Sequence, residues 1–274
     1  MTEAASIAER LVAAGPWVPV HERDLSYMRV GADEVIVVAC DSDGGIGPNP
    51  HDTVAVPGEE LGRFAARVPL LEVIAAGAEP VLVVDTLAVE RDPTGEAIIA
   101  GVLVEAAAAG LGRDAVTGST EDNVPTTSTG VGVTVIARST LAQLRVGSAR
   151  PPFAVLLLGR PMSAPKELFG PDHPEVLSVP QLMAAMEIVG VTEALPIGSR
   201  GVAFEFDELA RCAGGVVRRE SGWPVAHDQS GGPSTAALLA VDLTGSDAIL
   251  LAVALETGLP VWHLGKVLVR SSDS

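Results

Sequence analysis

The sequence predicts an α+β protein built in two halves, and three observations carry that prediction. Short apolar, β-branched runs alternate with longer helical patterns along the whole chain. The alternation breaks once, at "VGSARPPF" (146–153), where Pro151-Pro152 makes the best linker in the chain. The apolar content is mostly Ala, Val and Leu with 3% aromatics, which suits closely packed sheet and helix layers. At 274 residues both halves, 1–148 and 149–274, are long enough to hold a core.

Each element follows from its local pattern. "MTEAASIAERLVAAG" carries Glu3, Glu9 and Arg10 among alanines. It lacks the basic start and continuous apolar centre of a signal peptide, and it predicts an amphipathic helix. "EVIVVAC" (34–40) predicts a strand, and 59–76 a helix with Phe64, Val68, Leu71 and Ile74 or Ala75 on one face. Strands follow at 80–89 and 129–137, around a helix that opens at Thr94 and ends at Gly110. After the linker come strand 153–159, helix 178–190, a short strand at 193–197 and helix 203–213. Strand 235–242, helix 246–257 and strand 260–269 close the chain. The most apolar segment, 97–109, is interrupted by Glu105 and is too short to span a bilayer. The expectation is a soluble, cytoplasmic protein with no membrane role.

Charge excludes further classes. The formal charge of −17, from 35 acidic and 18 basic residues, repels nucleic acid and anionic lipid. An anionic metabolite would need a local remedy such as a divalent cation. Cys40 and Cys212 form no disulfide framework and lie in apolar surroundings, so both are expected in the core.

The densest chemistry lies in "ACDSDGGIGPNPHDTV" (39–54). Asp41 and Asp43 alternate with Ser42, so both carboxylates point to one side of an extended chain. They repel each other unless a cation sits between them. Mg²⁺ fits, because it takes few protein oxygens and completes its shell with water and phosphate. Gly44, Gly45 and Gly47 would let the backbone approach a ligand or adopt positive φ. An acidic surface turn accounts for the same residues, since Asp and Gly are ordinary loop residues. There is no G-x-x-x-x-G-K-[ST], no strand-linked G-x-G-x-x-G, no H-E-x-x-H and no G-x-S-x-G.

Further segments narrow the choice. The acidic D-G-G-x-G at 43–47 is followed by "HDT" (51–53), "GAEP" (77–80), Asp85, "GST" (118–120) and "TGVGVTVI" (129–136). In this order and spacing the chain resembles the aminoimidazole ribonucleotide synthetase-like (PurM-like) superfamily. "ALPIGSRGVAFEFDELARCAGG" (194–215) is similar to its glycine-rich turn into a helix, and 231–242 and 258–267 to its closing strand-helix-strand. The resemblance implies N-terminal halves that pair strands into a β-barrel shared by a homodimer, with a C-terminal α/β half. It also implies ATP lying along the barrel, Mg²⁺ held by acidic side chains, and phosphoryl transfer that activates a small-molecule substrate.

Carried over by residue, the resemblance makes Asp41, Asp43, Asp52, Glu72, Asp85 and Glu121 candidate metal ligands, with Asp122 and Asn123 beside them. Gly44, Gly45, Gly47, Gly118, Ser119, Thr120 and Asn123 become candidates to contact the nucleotide. Asp43 and His51 are the catalytic candidates, although a loop histidine beside Asp52 is also an ordinary turn residue. Arg67, on the helix that carries Glu72, would grip phosphate or pair with a carboxylate. Lys166, Arg200 and Lys266 would meet an anionic substrate or serve solubility. Arg211, Arg218 and Arg219 form a local positive patch. Trp17, Trp223 and Trp262 are too scattered for a stacking platform.

Two departures stand out: Ser119 and Pro196 occupy positions where the family has acids. They keep a second reading open, a nucleotide-binding regulator or partner subunit without catalysis. A third reading is a structural dimer with an acidic loop.

Overall fold

The computed structural model describes residues 5–121, 123 and 125–270; Asp122 lies outside them. The chain opens with α1 (Ile7–Ala14). Ser6 starts it with a capping box: its hydroxyl accepts from the Glu9 N–H, and the Glu9 carboxylate accepts from the Ser6 N–H. Next come β1 (Pro19–Glu22), β2 (Leu25–Arg29), β3 (Glu34–Gly44), β4 (Ile46–Gly47), β5 (Val54–Ala55), α2 (Gly58–Ala75), β6 (Glu79–Leu87), α3 (Glu96–Ala108), β7 (Val116–Thr120) and β8 (Gly130–Thr140).

Apart from the short β4–β5 pair, these strands form one six-stranded sheet in the order β1-β2-β3-β8-β6-β7. Its pairs are antiparallel except β6 with β7, which α3 joins as a parallel crossover. Alternation sets the two faces. Val35, Val37 and Ala39 of β3 are buried under α2, while Ile36, Val38 and Cys40 face outward. The expectation of two core cysteines is corrected here: Cys212 is buried, but Cys40 falls on the outer register of β3 and is exposed.

The second half holds β9 (Phe153–Leu158), α4 (Val179–Met186), β10 (Val191–Pro196), α5 (Val202–Cys212), β11 (Val216–Arg219), β12 (Ala237–Asp242), α6 (Ser246–Thr257) and β13 (Val261–Leu268). Its sheet runs β10-β12-β9-β13-β11, and every pair is antiparallel. The expected α/β half is therefore corrected to α+β. The alternation along the chain makes split βαβ units: β9 and β10 flank α4 and run parallel, but the antiparallel β12 lies between them. β9 is buried along its length, with α4 and α6 on one face of the sheet and α5 on the other.

One apolar core runs from the inner face of the first sheet through α2 and α4 to the second sheet. A buried ion pair reinforces that junction. Arg67 donates to Glu105 of α3 at 2.6 and 3.2 Å and to the carbonyls of Pro171 and Leu177. Arg63 binds Glu105 at 3.0 Å and the Asp172 carboxylate through both terminal nitrogens. Among the described residues no helix is long and apolar enough to cross a membrane.

Candidate functional site

β3 does not end before its acids. It continues to Gly44 because β8 supplies a full ladder, pairing Asp41 with Val133 and Asp43 with Val131. The expected acidic loop after the strand is thus corrected: Asp41 and Asp43 are strand residues on the inward register, the side shared with Ala39.

Across β8, Val133 pairs with Asp85 of β6, and Asp85 pairs with Gly118 of β7. Directly paired residues face the same side of a sheet, so Asp41 and Asp85 share the inner face two strands apart, roughly 10 Å. The next row reads Asp43, Val131, Leu87 and Thr120. Residues far apart in sequence thus meet on two adjacent rows.

The environment discourages charge on these acids. Burial, and secondarily Asp41, pushes the Asp43 carboxyl up to about 6. Burial also raises Asp41, against the pull of the Ser42 N–H and with a further push from Asp24. Asp85 is 3% exposed and raised by burial. Gly118 makes room for it: a Cβ at 118 would stand 1.8 Å from Asp85 Oδ1 and 2.2 Å from the Asp85 carbonyl oxygen.

A cleft of about 450 Å³ lies between the halves beside these rows. The β1–β2 turn contributes Arg23 and Asp24, α2 contributes Glu72, the end of β10 contributes Pro196, and the turn after it contributes Gly198 and Arg200. Glu205 on the first turn of α5 closes it. Burial pushes Glu72 up to about 8, with Asp24 adding to the rise and Arg23 opposing it. Glu205 goes up to about 7 by burial, against a hydrogen bond from the Gly198 N–H.

Arg23 sits at φ 54°, in the left-handed region a side chain rarely adopts. Its guanidinium holds the buried Glu193 carboxylate at 2.5 Å, which also accepts from the Gly147 and Ala149 N–H groups. That anchor fixes the turn and aims Asp24 at the cleft. Arg23 Nε and the Tyr27 hydroxyl are buried without a hydrogen-bond partner. Asp24, Arg23 and Glu205 are site residues that sequence reasoning missed. The alternation of Leu25 and Tyr27 after a polar turn was the available sign of that hairpin.

The remaining candidates are placed as follows. The Asp52 carboxylate clamps its own loop, accepting from the Thr129 N–H and hydroxyl, both at 2.7 Å, and from the Asn49 N–H at 2.8 Å. Burial raises this carboxyl, but those donors outweigh it and hold the group low. Gly45 and Gly47 take positive φ in the same loop, and Gly44 ends β3 opposite Gly130. His51 is exposed and tied by its backbone N–H to Thr127.

Glu121 and Asn123 lie exposed beyond β7, where the Glu121 carboxylate accepts the Asn123 N–H; Ser119 is exposed on edge strand β7. Arg67 is a correction: it is 1% exposed and wholly engaged by Glu105 and two carbonyls, so it does not face the acids. The positive patch is also corrected. Arg211 pairs with Glu208 and Glu22, and Arg219 pairs with Asp207. Arg200 lines the cleft over the Phe204 ring, while Lys166 and Lys266 are exposed.

Among the described residues, no three His, Cys, Asp or Glu side chains converge closely enough to hold a metal ion. The donor set is instead two neighbouring carboxylates, Asp41 and Asp43, with Asp85 two strands away, all raised by burial. That fits Mg²⁺ arriving with phosphate oxygens, since Mg²⁺ is usually held by one or two carboxylates plus a substrate's phosphates. A larger open cleft, about 1140 Å³, lies at the other end of the first sheet beside Glu34 and Arg145. Its Arg138 is already paired with Glu79, and it contains none of the acids described above.

Residues 22–138 match the family model described as AIR synthase related protein, N-terminal domain. No curated protein sequence matches the chain. Among solved structures, tt0281 from Thermus thermophilus is 18% identical with a TM-score of 0.65, over 97% of this chain and 95% of that one. Thiamine-monophosphate kinase from Stenotrophomonas maltophilia K279a is 16% identical with a TM-score of 0.63, over 98% and 96%. The hydrogenase maturation protein HypE in complex with ATP is 16% identical with a TM-score of 0.63, over 85% and 77%.

Proposed function

We propose, from the premise that this chain belongs to the aminoimidazole ribonucleotide synthetase-like superfamily, that it binds ATP with Mg²⁺ and transfers phosphate to a small metabolite in the cytoplasm. One observation carries the reading. Asp41, Asp43 and Asp85 share the inner face of one sheet, beside a cleft that adds Asp24, Glu72 and Glu205. So many carboxylates at reduced polarity call for a cation between them, a metal ion or a proton.

Asp41 and Asp43 would hold the metal, with Glu72 and Asp85 nearby. Bound there, Mg²⁺ would neutralise phosphate charge and align the group that is transferred. The chain's own residues do the positioning. The Arg23–Glu193 anchor fixes the β1–β2 turn, and the Asp52–Thr129 clamp fixes the glycine loop where a nucleotide would lie. Arg200 stands at the cleft as a cation for an anionic acceptor. Two copies would pair through the outward face of the first sheet, where Ile36, Val38 and Ile136 lie.

The uncharged Ser119 and Pro196 favour a second reading, a nucleotide-binding partner subunit without turnover. Thermal unfolding with a nonhydrolysable ATP analogue tests the shared core of both readings. The expected result is stabilisation that requires Mg²⁺ and is lost in Asp43→Asn. A melting temperature indifferent to nucleotide, or a shift retained in Asp43→Asn, overturns the site. Formation of ADP with an added acceptor then separates enzyme from subunit.

A further inference from the structure

α6 breaks the usual arrangement of a surface helix, in which the outward face is polar. Its inward side, Val253 and Thr257 with Ile249 and Leu250, packs on the second sheet and α4. At 100° per residue the opposite side carries Ala248, Leu251, Ala252 and Leu255. All four are exposed, Leu251 at 61% and Leu255 at 85%. They follow the i, i+3, i+4, i+7 spacing of a helix seam across two turns. Exposed carboxylates flank this stripe, Asp247 on one side, touched by His263 Nε2 at 2.9 Å yet 95% exposed, and Glu256 on the other. Past Ile249 the same surface meets Asp242, packed at Gly190, next to Val189 at 92% exposure.

We propose that α6 is a docking site for an amphipathic helix of a partner protein, one whose apolar seam is flanked by Lys or Arg. The flanking charges select the occupant. A second copy of this chain would lay one α6 on another and gather four carboxylates along a seam that offers no Lys or Arg, since α6 contains none. An anionic lipid surface would meet the same carboxylates on a chain of net charge −17. A basic-flanked helix places its apolar anchors on Leu251 and Leu255 and its cations on the two carboxylates. This is the helix-in-groove mode of recognition. Two helical turns make a small interface, so the affinity belongs in the micromolar range typical of transient contacts, on the order of 1–100 μM.

Fluorescence anisotropy tests the proposal on the full chain, with two labelled synthetic helices that share one leucine seam and differ in lysine or glutamate flanks. The lysine peptide is expected to bind at least tenfold more tightly than the glutamate peptide. Leu251→Gln with Leu255→Gln is expected to abolish that binding, and Asp247→Asn with Glu256→Gln to erase the preference. The leucines and Glu256 are exposed and Asp247 gives up only a surface contact with His263 at 2.9 Å, so melting temperature should move little and any nucleotide-induced shift should stay as in the wild type. That separates this test from the proposed nucleotide site. Equal binding of the two peptides, or binding that survives the leucine substitutions, overturns the proposal. So does a fall in molecular mass by light scattering in the leucine variant, which would assign the stripe to a second copy. Sedimentation with phosphatidylserine vesicles that the leucine substitutions abolish would assign it to lipid instead, with the same consequence.

Discussion

At the residue scale, Arg67 shows how burial decides a side chain's use. Its guanidinium is enclosed by the Glu105 carboxylate and two carbonyls from the segment before α4, with Phe64 packed 5.2 Å from it. Its ion pair therefore ties α2 to α3 and its carbonyl contacts tie α2 to the second half, and a phosphate would have to displace Glu105 to reach it. Removing one partner strands the other charge in the core. Glu105→Ala is expected to cost about 3–5 kcal/mol in chemical denaturation, whereas Arg67→Met with Glu105→Leu should recover most of that loss. The double variant should keep any nucleotide-dependent thermal shift. A fully retained fold with that shift abolished would restore Arg67 to the ligand site.

At the element scale, legibility followed length. β3, β8 and α2 carry 11, 11 and 18 residues, and their periodicity located them to within a few positions, short of the last four residues of β3. β1, β2, β7 and β11 have 4 or 5 residues each, too few for alternation to rise above loop composition. Asp and Gly are poor strand formers, so the sequence hid that β3 runs to Gly44; pairing with β8 overrides that preference. The inward acids Asp41 and Asp43 were visible from alternation alone. Asp24 and Glu205 were not, because only the fold brings that hairpin and α5 to one cleft. β7 pairs with β6 alone, over five positions with Gly118 packed closest at the centre, and Gly118→Ala would drive a methyl into Asp85. The expected cost is about 1–3 kcal/mol, with faster amide exchange confined to 116–120. The neighbouring exposed Ser119→Ala should leave both unchanged. If Gly118→Ala exchanges like the wild type, β7 is not held through Asp85.

At the scale of the whole molecule, the acids in the cleft and on the sheet rows beside it set how stability responds to pH. Asp43, Glu205 and Glu72 are raised to about 6, about 7 and about 8, each chiefly by burial. Each holds its proton more tightly folded than unfolded, so between the ordinary carboxylate range and pH 8 the folded state binds more protons. Stability from these groups is complete at low pH and is lost as pH rises through that window. Glu22, Asp52 and Glu90 act with the opposite sign: burial opposes the charged Glu22 and Asp52 and weakly Glu90, but their donors hold all three low. Their contribution is already in place above about pH 5, which leaves the cleft acids to govern the neutral range. The ligand-free protein is therefore expected to melt at higher temperature near pH 5.5 than near pH 8. After discounting for solvent contact, the difference corresponds to about 1–3 kcal/mol. Glu72→Gln removes the largest rise, so it should raise stability at the alkaline end and flatten the profile. Saturating Mg²⁺ with a nonhydrolysable nucleotide should flatten it too, because a bound cation replaces the proton as the partner of these carboxylates. A ligand-free melting temperature that climbs steadily from about pH 5.5 to 8 would mean that the acids do not share a poorly solvated cleft.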